Sequence, residues 1–202
     1  MDTSVRSTMS TSSPWRASLA LAALTLLLFG LGYSLIATGI GRLLFSDAAT
    51  GSLVMREGVV IGSSLVAQPF VGDRYFHPRP SAAAHAPMAA SGSNQARTNP
   101  DLRTRLDAAR REVATREGIS EEDVPSDLVT QSGSGLDPDI SPAGARVQAG
   151  RVARARGLDT AVVERLIEAH VTPARLGLGA PRVNVLALNL ALDGSVSQQG
   201  GQ

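Results

Sequence analysis

The hydrophobic pattern of the chain is dominated by one uninterrupted run, residues 17–41, ASLALAALTLLLFGLGYSLIATGIG. It holds eight leucines and no charge, with Arg16 before it and Arg42 after it. At ~1.5 Å per helical residue it reaches roughly 37 Å, enough to cross a ~30 Å hydrocarbon core with some tilt. The pattern predicts one transmembrane helix over 17–41, behind a polar, Ser/Thr-rich and disordered segment over 1–16. Trp15 falls where an interfacial aromatic anchors the first end. A cleaved signal peptide fits less well, because its apolar core spans only ~7–15 residues. A soluble core helix would show a polar face, and this run has none. Gly30, Ser34 and Thr38 recur every four residues, so they stack on one side as a packing stripe for a partner helix.

After the span the periodicity changes. Residues 52–68 read as two strands, with Glu57-Gly58 as the hairpin turn between them. Residues 70–81, FVGDRYFHPRPS, read as an ordered loop, and 82–98 as a long Ala/Ser/Gly-rich crossing. Loops of that length usually have a functional or interface reason. Asn99 and Pro100 open a helix whose apolar face is Leu102, Leu106, Ala109 and Val113, and Gly118 closes it. Residues 124–130 read as a short strand or turn. Ser141 and Pro142 open a second helix that Gly157 closes, and Asp159 opens a third over 160–170. Residues 182–193, RVNVLALNLALD, are apolar on both alternating faces and predict a central buried strand. The whole reads as an α/β (α+β) soluble domain over 43–193, with a small mixed sheet and about three helices. A flexible tail follows over 194–202.

Composition narrows the chemistry. A net charge of +1 and 3% aromatic residues argue against nucleic acid as a partner. Cys 0 removes disulfides, thiol nucleophiles and thiolate metal sites. All 19 basic residues are arginine, which excludes a lysine-bearing phosphate loop and Schiff-base catalysis. The flanking arginines, Arg6 and Arg16 against Arg42 and Arg56, balance, so charge leaves the membrane orientation open.

The best chemical candidate is the loop over 131–142, with Gln131, Ser132, Gly133, Ser134, Gly135, Asp137 and Asp139. Its glycines and serines offer donors for an anion, as a nucleotide or partner loop would. Asp137 and Asp139 oppose an anion and suit a cation or local capping instead. A turn built for its own geometry explains the same residues. No catalytic residue and no metal set is assigned. A triad of Ser134, Asp137 and one of His77, His85 or His170 lacks a nucleophile elbow, because Pro138 and Pro142 intervene.

Collinear motifs from Leu26 to Asp193 carry a resemblance. They are Thr38-Gly39-Ile40, Gly51-Ser52-Leu53, Arg74-Tyr75-Phe76-His77, Arg79-Pro80-Ser81 and Gly92-Ser93-Asn94. Asp127-Leu128-Val129-Thr130, Ser132 to Pro138, Arg151 to Arg156 and Val183 to Asp193 complete the set. In this order they resemble the C subunit of the bacterial Kdp potassium-transporting P-type ATPase complex. The resemblance implies an accessory subunit in the bacterial inner membrane, with no tightly bound cofactor. Its implied partners are a channel-like potassium-translocating subunit, a P-type ATP-hydrolysing subunit and membrane lipid. The family is described as a catalytic chaperone that raises ATP affinity, through a glutamine near the serine–glycine motif. Gln131 is the nearest match, so ATP is implied through the complex. The family topology instead places the soluble domain outside the cytoplasm, where it stabilises the channel-like partner or guards its ion entrance. The alternative class is a membrane-anchored enzyme or ligand-binding module using the Ser132–Asp139 loop.

Overall fold

The computed structural model describes residues 14–174 and 179–199. The chain divides into two units, one through Gly51 and one from Ser52. Residues 1–13, most of the polar segment expected before the span, lie outside the described residues.

The first unit is helical from α1 (Pro14–Thr25) through a π-helical stretch (Leu26–Gly32) into α2 (Tyr33–Leu44). Trp15–Leu44 is long and apolar enough to cross a membrane. The helix outruns the uncharged 17–41 run at both ends, and it stops where Phe45 leaves helical geometry at φ −137°. A single turn, α3 (Ser46–Ala49), follows.

The second unit opens with the antiparallel hairpin of β1 (Leu53–Arg56) and β2 (Val59–Ser63). Its turn residues Glu57 and Gly58 both have positive φ, 52° and 79°, as a two-residue turn between right-twisted strands requires. After a loop comes α4 (Pro100–Glu117). Asn99 caps it by accepting from Asp101 N, and Gly118 ends it in the left-handed region. The 124–130 stretch forms a 3-10 turn over Ser126–Leu128. Then follow β3 (Asp139–Ile140), α5 (Pro142–Arg156), α6 (Thr160–Ala169), β4 (Val171–Thr172), β5 (Arg182–Asn184) and α7 (Val185–Gln199). Ser141 and Asp159 cap α5 and α6 as their positions predict.

β5 is the central strand of an antiparallel sheet ordered β3-β5-β4. It is only three residues long, which corrects the strand expected over 182–193. Leucine and alanine are strong helix formers, and the Asn184 side chain caps the turn by accepting from Ala187 N at 3.0 Å. From Val185 the buried positions are 185, 186, 188, 189 and 192, a helical spacing. α7 continues to Gln199, so helical backbone extends into the stretch read as a tail. The core joins Phe76, Val113, Leu128, Ile140, Val152, Val163, Ile167, Val183, Leu188 and Leu192. Ala145, Ala149 and Ala153 of α5 are buried in it, and their small side chains let neighbouring backbone come close.

Candidate functional site

The 131–142 loop is stitched to segments distant in sequence. Ser132 is buried; its N donates to Pro80 O at 3.3 Å and its Oγ accepts from Asp137 N at 3.4 Å. Ser134 O accepts from Ser91 N at 2.9 Å, and Ser134 Oγ accepts from Leu136 N at 3.1 Å. Ser81 Oγ donates to Gly135 O at 2.7 Å. Gly135 has φ +71°, and a Cβ there would meet Ser91 O at 2.7 Å. A Cβ on Gly92 would meet Gly133 O at 2.7 Å. The long 82–98 crossing therefore runs against the serine–glycine loop, and glycine on each side permits the approach.

The acidic residues of the loop are engaged. Asp137 Oδ2 accepts from Arg79 Nη1 at 2.7 Å, and its Oδ1 accepts from Asp139 N at 3.1 Å. Asp139 pairs with Arg182 Nε at 2.9 Å and accepts from Asn184 Nδ2 at 3.1 Å. Asp127 accepts from both N and Oγ of Ser141, at 2.6 and 3.1 Å. Of the two roles open to Asp137 and Asp139, these bonds serve capping and pairing. Among the described residues no group of three or more His, Cys, Asp or Glu is arranged to hold a metal. Gln131 Oε1 accepts from Arg105 Nη1. A helix residue thus holds the glutamine that the resemblance offered as a nucleotide contact.

The histidines do not join Ser134. His77 Nε2 lies 3.1 Å from Gly72 O, His85 Nε2 3.1 Å from Arg79 O, and His170 Nδ1 2.8 Å from Leu166 O. Burial lowers the His77 pKa below its ordinary 6.5. The Gly72 carbonyl opposes that shift, while the charges of Arg151 and Arg116 add to it. His77, Arg79 and His85 line a cavity of about 300 Å³ against Glu112 and Arg116 of α4, with Phe70 among its apolar walls. Arg79 Nε is buried there and has no hydrogen-bond partner among the described residues.

Beside this cavity lies a feature that periodicity did not reveal. The main chain of residues 73–77 is gripped by side chains from α5 and α7. Arg151 Nη1 donates to Asp73 O at 2.8 Å and to Tyr75 O at 3.0 Å. Arg156 Nε donates to Arg74 O at 2.6 Å, and its guanidinium carbon lies 5.0 Å from the Tyr75 ring centroid. Asn189 bonds both N and O of Phe76, and Gln148 bonds both N and O of His77. Arg151 is itself fixed by buried Glu117, through Nε to Oε2 at 2.9 Å. Arg151 and Arg156 belong to a motif of the resemblance, but helical periodicity shows them only as charges. The detectable signal was Asn189, a lone amide inside an apolar run.

In the span, Ser34 Oγ donates to Gly30 O at 2.6 Å. That bond uses the hydroxyl's proton within its own helix, and the oxygen keeps its acceptor lone pairs. A Cβ on Gly30 would meet nothing within 4 Å.

The family model described as K+-transporting ATPase, c chain (KdpC), matches residues 15–194. A potassium-transporting ATPase KdpC subunit of Xanthomonas oryzae pv. oryzae is 59% identical over 188 residues, covering 93% of this chain and 90% of the relative. Its counterpart in Xanthomonas campestris pv. campestris is 59% identical over 192 residues, 92% of each. That of Cereibacter sphaeroides strain KD131 is 52% identical over 168 residues, 83% of this chain and 89% of the relative. With a matched segment running from the apolar span into α7, the chain belongs to the KdpC family, the c chain of the K+-transporting ATPase.

Proposed function

We propose that this chain is an accessory, non-catalytic subunit of a high-affinity, ATP-driven potassium uptake complex. It is anchored by one span, with residues after Arg42 outside the cytoplasm. Its work is to stabilise assembly with a channel-like potassium-translocating subunit and to support the P-type subunit that hydrolyses ATP. The observation that carries the reading is how the 131–142 loop spends its groups. The Ser132 and Ser134 hydroxyls bond within the loop, their main-chain groups bond Pro80 and Ser91, and Asp137 and Asp139 hold Arg79, Arg182 and Asn184. A nucleophile needs a base within hydrogen-bond reach, and the three histidines are directed to main-chain carbonyls instead.

Orientation decides between two supporting roles. An external domain acts on the channel-like partner and its ion entrance; only a cytoplasmic domain reaches ATP. The chain has no cysteine, so a cysteine at exposed Glu122 would be its only thiol. An impermeant maleimide should label it in intact spheroplasts. Labelling only after lysis would reverse the topology and support a nucleotide role.

A second reading, ligand binding at the Arg79 cavity, is favoured by the unpartnered Arg79 Nε. Saturable protection of His77 and His85 from chemical modification by a small ligand would support it.

A further inference from the structure

The cavity beside Arg79 joins an apolar floor to a cation that the protein does not fully use. Val113 and Leu128 line it and belong to the core, and Phe70 adds an aromatic wall. Its volume of about 300 Å³ lies at the lower end of the range for ligand sites, so it suits a small molecule.

The two arginines of the wall differ. Arg79 is matched by Asp137 at 2.7 Å. Arg116 Nε donates to Glu117 Oε1 at 2.8 Å, but the same carboxylate also holds Arg151 at 2.9 Å. One carboxylate thus serves two guanidiniums, and a positive charge is left over at this wall. Nη1 and Nη2 of Arg116 have no hydrogen-bond partner among the described residues, and neither is buried. Two N–H groups on a planar guanidinium suit the two oxygens of one carboxylate. Glu112, one turn earlier on α4, also lines the cavity; it is exposed and forms no ion pair among the described residues. Its charge opposes a second negative charge on anything bound there.

We propose that this cavity binds a small organic monocarboxylate, with its head on Nη1 and Nη2 of Arg116 and its hydrocarbon body against Phe70, Val113 and Leu128. The proposal deepens, and rests on, the reading of the Arg79 cavity as a ligand site. A neutral isostere leaves the guanidinium charge unmatched, and a dicarboxylate meets Glu112.

The histidines of the cavity report its occupancy. A carbonyl oxygen only accepts, so His77 and His85 carry their proton on Nε2, and Nδ1 is the nucleophilic nitrogen. His170 does not line the cavity and serves as the control. The full chain in mild detergent is treated with diethyl pyrocarbonate, and the modification of each histidine is followed by mass spectrometry. The probes are butyrate, its neutral isostere butanamide, and succinate. Butyrate should protect His77 and His85 saturably and leave His170 unprotected, at concentrations about tenfold or more below those needed of the other two. Arg116→Gln should raise the butyrate requirement by about tenfold or more. Glu112→Gln should bring succinate close to butyrate. Glu117 keeps Arg151 in the first variant, and Glu112 is exposed in the second, so both should fold. Equal protection by butyrate and butanamide, or butyrate protection unchanged by Arg116→Gln, overturns the carboxylate assignment and leaves the cavity a ligand site. A succinate requirement unchanged by Glu112→Gln overturns the role given to Glu112. Protection by none of the three probes overturns the proposal and the ligand-site reading together.

Discussion

Asn189 Nδ2 donates to Phe76 O at 3.0 Å while Asn189 Oδ1 accepts from Phe76 N at 2.8 Å. One side chain on α7 thereby does for a loop what a neighbouring strand does in a sheet. Both partners are buried, so neither main-chain group has water as a substitute. Asn189→Leu keeps the volume but leaves the Phe76 N–H and C=O unpaired. The expected cost is about 2–4 kcal/mol from two desolvated groups. Denaturant unfolding of the full chain in detergent measures it. A loss below about 1 kcal/mol would show that the loop finds other partners.

The Glu117–Arg151 pair should behave asymmetrically. Glu117→Ala leaves the buried Arg151 guanidinium without its carboxylate, and a broken buried pair costs about 3–5 kcal/mol. Arg151→Lys keeps a charge but has no planar fork with which to reach Glu117, Gln148, Asp73 and Tyr75 together. It should therefore destabilise nearly as much as Arg151→Ala. Thermal unfolding of the three variants checks this; recovery of wild-type stability by lysine would mean that charge alone suffices.

Two glycines of one motif should differ. Gly135→Ala meets the Ser91 carbonyl and requires an unfavourable positive φ, so it should cost about 2 kcal/mol or more. Gly133→Ala meets nothing within 4 Å and should lie within about 0.5 kcal/mol of wild type. Equal effects would show that the 82–98 crossing does not press on this loop.

His77 gives a pH signature. Its folded pKa is lowered, so below 6.5 the unfolded chain binds the proton more readily than the folded one. The neutral imidazole's contribution is full above 6.5 and is lost as pH falls through the lower folded pKa. Within that window stability falls as pH falls, with one proton setting a ceiling of about 1.4 kcal/mol per pH unit on the slope. Stability measured across mildly acidic pH should show this fall, and His77→Gln should flatten it. An unchanged slope in the variant would assign the effect to other groups.

The caps were legible because their residue types act locally. Asn99, Ser141 and Asp159 each accept from a main-chain N–H two or three residues ahead. The Glu57-Gly58 turn was legible for the same reason. The change from β5 to α7 was not, because VLALNLAL satisfies a period of two as well as a helical one. The grip on residues 73–77 was also hidden. Arg151, Gln148 and Asn189 are polar residues in the core, and pattern reading assigns polar positions to solvent. The composition of the 131–142 loop stands out in the sequence, but its partners, Arg79, Ser81 and Ser91, lie about forty to sixty residues earlier. No local spacing rule reaches that far.

On the function proposed above, the chain works as an assembled subunit and not as an enzyme. Affinity purification of the tagged full chain from native membranes in mild detergent tests it most directly, for wild type and Ser134→Ala. The expected result is that a channel-like subunit and a P-type subunit co-purify in constant ratio with both, with equal ATP hydrolysis in the recovered material. A chain that purifies alone, and carries a hydrolytic turnover that Ser134→Ala abolishes, would contradict it.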